Sequence, residues 1–264
     1  MKHNTNRATI LDEIAGKTRL RLEAAKKIIP LEELQKQAFA MAELPFEAAL
    51  RQPGLSFICE VKKASPSKGI IAEDFPWLEI AREYEAAGAA AVSVLTEPEY
   101  FLGSDRHLQE IAAAVRIPCL RKDFTIDPYQ IYQAKVLGAA AVLFIVALLD
   151  EKTLASFIAI AQELRLSALV EIHNEAEVQQ AVQAGAQIIG INNRDLKTFA
   201  VDFGLSANLR KSIPAGILTV AESGVTSPGD IRSLKDCNFD AVLIGESLMR
   251  AADKKKFLAE LKSS

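Results

Sequence analysis

One junction recurs along this chain: Ala87-Gly88-Ala89-Ala90-Ala91-Val92, then Leu137-Gly138-Ala139-Ala140-Ala141-Val142, then Ala184-Gly185-Ala186-Gln187-Ile188-Ile189. In each copy a glycine stands where a helix stops in the left-handed conformation, and small residues lead into an apolar run. From Gly88 to Gly138 is 50 residues and from there to Gly185 is 47, which is two strand–helix units each time. Apolar, β-branched runs occupy 56–62, 89–96, 118–124, 139–149, 167–173, 186–194, 217–224 and 241–248. Helical spacing fills the intervals at 76–87, 105–115, 128–137, 152–164, 175–184, 205–213 and 228–235, and again at 254–261. Strict alternation implies a parallel sheet, because each strand needs a crossover helix to bring the chain back. Eight units in about 200 residues point to an α/β fold closed as a (β/α)8 TIM barrel. A doubly wound open sheet carries the same periodicity and stays the alternative.

Residues 1–50 fall outside that rhythm and read as an N-terminal helical extension: helices at 10–29 and 31–41, and a short one at 46–50. The expected organisation is a single domain, with the extension (1–50) packed on the barrel (51–264). Half of the 264 residues are hydrophobic and a quarter charged, which supports a large core and argues against disorder.

Several function classes drop out. A net charge of -3 gives no basic face for nucleic acid. Cys59, Cys119 and Cys237 form no CxxC pair, so neither a disulfide framework nor a zinc site is expected, and a reducing cytoplasm suits the chain. The longest apolar run, 139–149, is too short to cross a bilayer, and the polar start (Lys2, His3, Asn4, Asn6, Arg7) is unlike a signal peptide.

Charge appears at the ends of strands. Glu60 and Lys62 sit two apart on the first strand and share a face. Lys122 shares a face with Leu120, and Glu171 with Leu169; Asn192, Arg194 and Glu222 end the sixth and seventh strands. A lone charge there is ordinarily a solvated rim residue. Glu60, Lys62, Lys122, Glu171 and Glu222 at equivalent ends are expected to converge on one mouth, where partial desolvation pulls a lysine pKa down and a carboxylate pKa up. Ser223-Gly224 and Gly245 follow the last two strands, where such barrels commonly hold phosphate on backbone N–H groups. The loop Ser65-Pro66-Ser67-Lys68-Gly69 adds hydroxyls and a cation.

Seven motifs occur in order: Glu60-Val61-Lys62-Lys63-Ala64-Ser65-Pro66-Ser67; Leu95-Thr96-Glu97 with Tyr100-Phe101-Leu102-Gly103-Ser104; Leu120-Arg121-Lys122-Asp123-Phe124; Leu169-Val170-Glu171-Ile172-His173; Gly190-Ile191-Asn192-Asn193-Arg194-Asp195-Leu196; Ala221-Glu222-Ser223-Gly224; and Ile244-Gly245-Glu246-Ser247-Leu248-Met249. Together they resemble the indole-3-glycerol-phosphate synthase family over the whole chain, extension included. The resemblance implies ring closure of 1-(2-carboxyphenylamino)-1-deoxyribulose 5-phosphate with loss of CO₂ and water, as a step of tryptophan biosynthesis. It implies no metal and no organic cofactor.

By that resemblance Lys122 is the general acid at the ribulose carbonyl, Lys62 the partner of the substrate carboxylate, and Glu171 the base of the dehydration. Glu60 orients Lys62 or shares its proton work, and the division of proton transfers between the two lysines stays open. Asn192 is matched to the substrate hydroxyls, Arg194 to bracing the acidic groups, and Glu222 to a supporting or hydroxyl-binding carboxylate. Ser65, Ser223, Gly224, Gly245 and Glu246 match the phosphate cradle, Glu246 through its backbone N–H with the carboxylate turned outward. Phe101, Phe124, Leu143, Ile145 and Leu196 are similar to the walls around the aromatic ring, with plain core packing equally open for Leu143 and Ile145. His173 and Trp77 read as structural.

The implied partner is a small phosphorylated metabolite. A monomer is expected, with at most weak association with other enzymes of the tryptophan pathway. Two other readings compete: a sugar-phosphate isomerase or epimerase, which would not need lysines on the first and third strands, and a non-catalytic barrel, which would not need an acid–base set.

Overall fold

Eight strands pair in chain order and the last returns to the first, so the sheet closes on itself. In this computed structural model they are β1 (Ser56–Val61), β2 (Ala91–Leu95), β3 (Cys119–Lys122), β4 (Ala141–Ile145), β5 (Ser167–Ile172), β6 (Ile188–Asn192), β7 (Leu218–Glu222) and β8 (Ala241–Ile244). Every barrel pairing is parallel. The structure describes residues 9–41, 45–195 and 200–264. Closure removes the open-sheet alternative, and each predicted apolar run contains one strand.

The helices are α1 (Ile10–Ile28), α2 (Leu31–Phe39), α3 (Phe46–Leu50), α4 (Trp77–Ala86), α5 (Asp105–Ala114), α6 (Pro128–Val136), α7 (Glu151–Glu163), α8 (Glu175–Gln183), α9 (Phe203–Arg210), α10 (Pro228–Asp236), α11 (Glu246–Arg250) and α12 (Lys254–Lys262). The junction glycines do what the repeat requires: Gly88, Gly138 and Gly185 have φ of +79°, +87° and +87°. Periodicity did not reveal α11, whose five residues are too few to show a period, or the antiparallel hairpin of Ala64–Ser65 and Gly69–Ile70 in the loop after β1.

The pleat of each strand sorts its residues into two cores. Ile58, Leu120, Leu143, Leu169, Ile188, Val220 and Leu243 fill the barrel interior. Their neighbours Cys59, Val142, Val170, Ile189, Ala221 and Val242 pack outward beneath the helices. This alternation puts Glu60, Lys122, Glu171 and Glu222 on the inward side, each one pleat period beyond an interior apolar residue.

The N-terminal helices bind the barrel at both ends. Leu11 and Ile14 of α1 join the interior cluster, and so do Phe46 and Leu50 of α3. At the start of β1, the Ser56 hydroxyl donates to the Leu50 carbonyl at 3.2 Å, so α3 lies at the end away from the strand termini that carry the charges. Arg21 of α1 reaches Asp123 at 3.4 Å, and Lys26 reaches Asp127 at 2.6 Å. Leu34 and Ala38 of α2 are buried in the outer core.

Candidate active site

A cavity of about 580 Å³ opens at the carboxyl ends of the strands. Its lining contains Glu60, Lys62, Lys122, Glu171, Asn192 and Glu222, the apolar residues Phe101, Phe124, Leu143 and Ile145, and at the polar side Ser65, Arg194, Ser223, Gly224, Gly245 and Glu246. Those are all of the predicted site residues but Leu196, which lies outside the described residues. Leu143 and Ile145 turn out to be both core and wall, because the interior core ends where the cavity floor begins. Phe101 and Phe124 face each other with ring centroids 6.0 Å apart, forming an aromatic flank.

Lys122 is the centre of the charge cluster. Its Nζ donates to Glu171 Oε2 at 3.0 Å and lies 3.3 Å from Glu222 Oε2. Burial works against the ammonium, but Glu171, Glu222 and Glu60 outweigh it and hold the pKa well above that of a free lysine. This corrects the expectation that desolvation would lower it: the neighbouring carboxylates win. Burial likewise pushes Glu171 upward, yet Lys122 and then His173 hold its carboxyl well below the usual range. Glu222 goes the other way, pushed up to about 8 by burial, with Lys122 opposing and the nearby Glu171 adding to the rise. Two carboxylates crowd one ammonium, so one stays ionised and the other carries the proton. Glu222 Oε1 has no hydrogen-bond partner among the described residues, in keeping with that neutral form.

Lys62 donates to Glu60, as two residues of one strand face allow. Asn192 is an orienting group. Its Nδ2 donates to Glu171 Oε1 at 3.2 Å, while its Oδ1 accepts from the Ser223 hydroxyl at 2.8 Å and the Arg194 N–H at 3.0 Å. That hydroxyl contact helps keep Ser223 in the left-handed region at φ +67°, a conformation that costs a non-glycine residue about 1 kcal/mol. Glu246 lines the cavity with its carboxylate 3.7 Å from Lys68, 3.8 Å from Arg194 and 3.2 Å from Arg250. Three cations thus offset the charge of the Glu246 carboxylate.

Five contributions went unread in the sequence, one of them a steric role for the already predicted Gly245. Gly190 sits where a Cβ would collide with the Glu222 carboxylate, and at Gly245 a Cβ would collide with the Glu60 carboxylate and the Lys62 ammonium. Buried Glu97 accepts the backbone N–H groups of Glu99, Tyr100 and Phe101 at 3.0, 2.7 and 3.1 Å, which knots the loop that carries Phe101. Asp123 accepts from Thr96 at 2.7 Å and from the Phe124 N–H at 2.8 Å, fixing the loop that carries Phe124. Ile10, Leu11 and Ile14 of α1 complete the apolar wall. A carboxylate inside a loop motif (Glu97) and one next to Lys122 (Asp123) were the available signals; a strand glycine carries none.

His173 lies behind the cavity. Its Nε2 is 3.3 Å from Glu171 Oε1 and its Nδ1 is 3.3 Å from Glu177 Oε2. Burial opposes the imidazolium, but the two carboxylates overcome it and raise the pKa from 6.5 to about 10. The folded protein therefore holds a proton that the unfolded chain releases near pH 6.5. This contribution to stability is complete below pH 6.5 and is lost as pH rises towards 10. Thermal unfolding followed from pH 6 to 10 should show a falling Tm, and His173→Gln should flatten that fall.

A closed parallel barrel, a buried ammonium shared by two carboxylates at the strand ends and an aromatic-lined wall make this an α/β barrel with a candidate acid–base site. The model of the indole-3-glycerol phosphate synthase family matches residues 11–261. The chain is 52% identical over 258 residues to the indole-3-glycerol phosphate synthase of Ruminiclostridium cellulolyticum, covering 97% of this chain and 99% of that one. It is 51% identical over 256 residues to that of Endomicrobium trichonymphae, with 96% and 99% covered. The chain belongs to the indole-3-glycerol phosphate synthase family. Among solved structures it is similar in fold to 3-hexulose-6-phosphate synthase (TM-score 0.65, 15% identity, 79% of this chain and 99% of that one). It also resembles phosphoribosylanthranilate isomerase of Thermotoga maritima (TM-score 0.58, 16% identity, 80% and 100%). At such identities the likeness concerns the fold alone.

Proposed function

We propose that this cavity performs the family's reaction with Lys122 as general acid and Glu171 as general base. The substrate is 1-(2-carboxyphenylamino)-1-deoxyribulose 5-phosphate, and the chemistry is a decarboxylating ring closure followed by dehydration. One observation carries the assignment: Lys122 stands between an ionised and a protonated carboxylate, so acid and base forms coexist in one pocket.

In the first step the aromatic carbon bearing the carboxylate attacks the ribulose carbonyl carbon. Negative charge builds on the carbonyl oxygen, and Lys122 donates its proton there. The carboxylate then leaves as CO₂ and its bonding electrons restore the aromatic ring. Lys62, oriented by Glu60, holds that carboxylate during the attack. Dehydration follows: the new hydroxyl departs as water with a proton from a lysine, and Glu171 takes the proton lost in forming the indole double bond. The Phe101–Phe124 flank with Leu143 and Ile145 takes the aromatic ring. Ser65 and the turns at Ser223-Gly224 and Gly245-Glu246 take the phosphate on backbone N–H groups, and Arg194 braces Glu246.

The N-terminal helices and the barrel work as one domain, since α1 supplies part of the wall. The chain acts as a monomer in the cytoplasm, with weak contacts at most to other enzymes of the tryptophan pathway. Lys62→Met tests the placement of the substrate carboxylate. It should raise KM and lower kcat together, because the counter-charge acts in the bound ground state as well as in the transition state. A steady-state measurement in which KM stays at the wild-type value would place the carboxylate elsewhere.

A further inference from the structure

His173 follows β5 directly and looks at first like a residue of the turn into α8. Glu177 of that helix accepts the His173 backbone N–H at 2.7 Å and the Asn174 side chain at 2.7 Å, so the turn is well tied without the imidazole. The ring nevertheless lies between two carboxylates, with Nδ1 towards Glu177 and Nε2 towards Glu171, both at 3.3 Å. A neutral imidazole has one N–H and one lone pair, and its lone pair would face a carboxylate. The imidazolium instead sets positive charge beside both: Nδ1 is within hydrogen-bond distance of Glu177, while Nε2 faces Glu171 as an ion pair without a hydrogen bond.

We propose that His173, gripped by Glu177, is a positioning residue that keeps Glu171 ionised and aimed into the cavity while Lys122 gives up its proton. The inference rests on Glu171 being the base. The charges around that carboxylate are Lys122 and Glu222 across the cavity, with Glu60 and Lys62 beyond, and His173 behind. Once Lys122 has donated to the carbonyl oxygen it is neutral. Lys62 is engaged by Glu60, so the imidazolium is then the one cation in contact with Glu171 among the described residues. Without it, Glu171 would draw a proton before the dehydration step needs a base. The orientation argument runs in parallel: Asn192 and His173 both address Oε1, which leaves Oε2 turned to Lys122 and the cavity. Glu177 closes the chain by keeping the imidazolium charged, and its hydrogen-bond and ion-pair partners among the described residues, His173 and Asn174, do not line the cavity.

The test is the pH profile of kcat and KM for the full chain, its His173→Gln variant and its Glu177→Gln variant. Glutamine keeps a neutral donor near the Nε2 position while removing the charge. His173→Gln should lower kcat by about ten- to a hundredfold with KM nearly unchanged, as expected when a reacting group loses its aim. Its acid limb should move up by about one pH unit, because the base is now easier to protonate. Glu177→Gln should shift the same limb in the same direction by less, and it serves alone if the histidine variant does not fold. A lower Tm with both limbs in place would make His173 a structural residue and overturn the proposal. Glu171→Gln, measured alongside, separates the two layers. If it retains the wild-type rate, Glu171 is not the base and the inference falls with that reading. If it is inactive while the His173 and Glu177 profiles stay put, only the inference falls.

Discussion

Lys122→Met is expected to lower kcat by about a thousandfold or more, with KM within a few-fold of wild type. The ammonium acts on the carbonyl oxygen chiefly when charge develops there, so its loss is felt in the transition state. Methionine is nearly isosteric, so the cavity keeps its shape. CO₂ and indole should be slowed equally, because both lie downstream of the ring closure. The variant also has a second signature. Glu171 and Glu222 lose the cation that faces both at 3.0 and 3.3 Å. Leaving a buried charge without its partner costs about 3–5 kcal/mol, and a carboxyl escapes that cost by taking up a proton. Glu171 should therefore titrate higher, and the variant should lose stability more steeply than wild type as pH rises. Carboxyl titration followed by infrared difference spectroscopy, with Tm against pH, would show this. Near-normal turnover would remove Lys122 from the acid's role.

Glu171→Gln is expected to cost about 10² to 10⁴ in the rate of indole formation, the usual worth of a positioned base. The products should separate here. Ring closure and CO₂ release depend on Lys122 and Lys62, whereas the last proton is taken by Glu171. A single-turnover experiment should thus release CO₂ faster than indole fluorescence appears. Glutamine retains an oxygen for the Lys122 contact, but His173 loses one of its two carboxylates, and its proton affinity falls accordingly. Equal retardation of both products would move Glu171 to the ring-closure step.

Much of this arrangement was legible in the sequence itself. The short apolar, β-branched runs located all eight strands because a parallel strand buried on both faces is apolar throughout, and the glycine junctions located the helix ends because left-handed φ excludes most side chains. Glu60 and Lys62 two residues apart had to share a face, and they pair. What the sequence withheld depends on distance. The direction of the Lys122 shift is settled by two carboxylates at hydrogen-bond range from strands 49 and 100 residues away along the chain, at Glu171 and Glu222. His173 read as structural because the acid and base roles were already assigned, and nothing in the sequence shows that its ring lies between Glu171 and Glu177. Gly190 looked like an unremarkable strand residue because the carboxylate it makes room for comes from β7. Trp77, read as packing, also donates to Glu110 at 2.9 Å, which ties α4 to α5.

The most direct measurement mixes the purified chain with 1-(2-carboxyphenylamino)-1-deoxyribulose 5-phosphate, with and without chelator, and follows indole fluorescence against CO₂ release. Chelator-insensitive formation of indole, with one CO₂ per product, is the predicted result. Bound substrate with neither product would contradict the central claim and leave a barrel that holds the metabolite without transforming it.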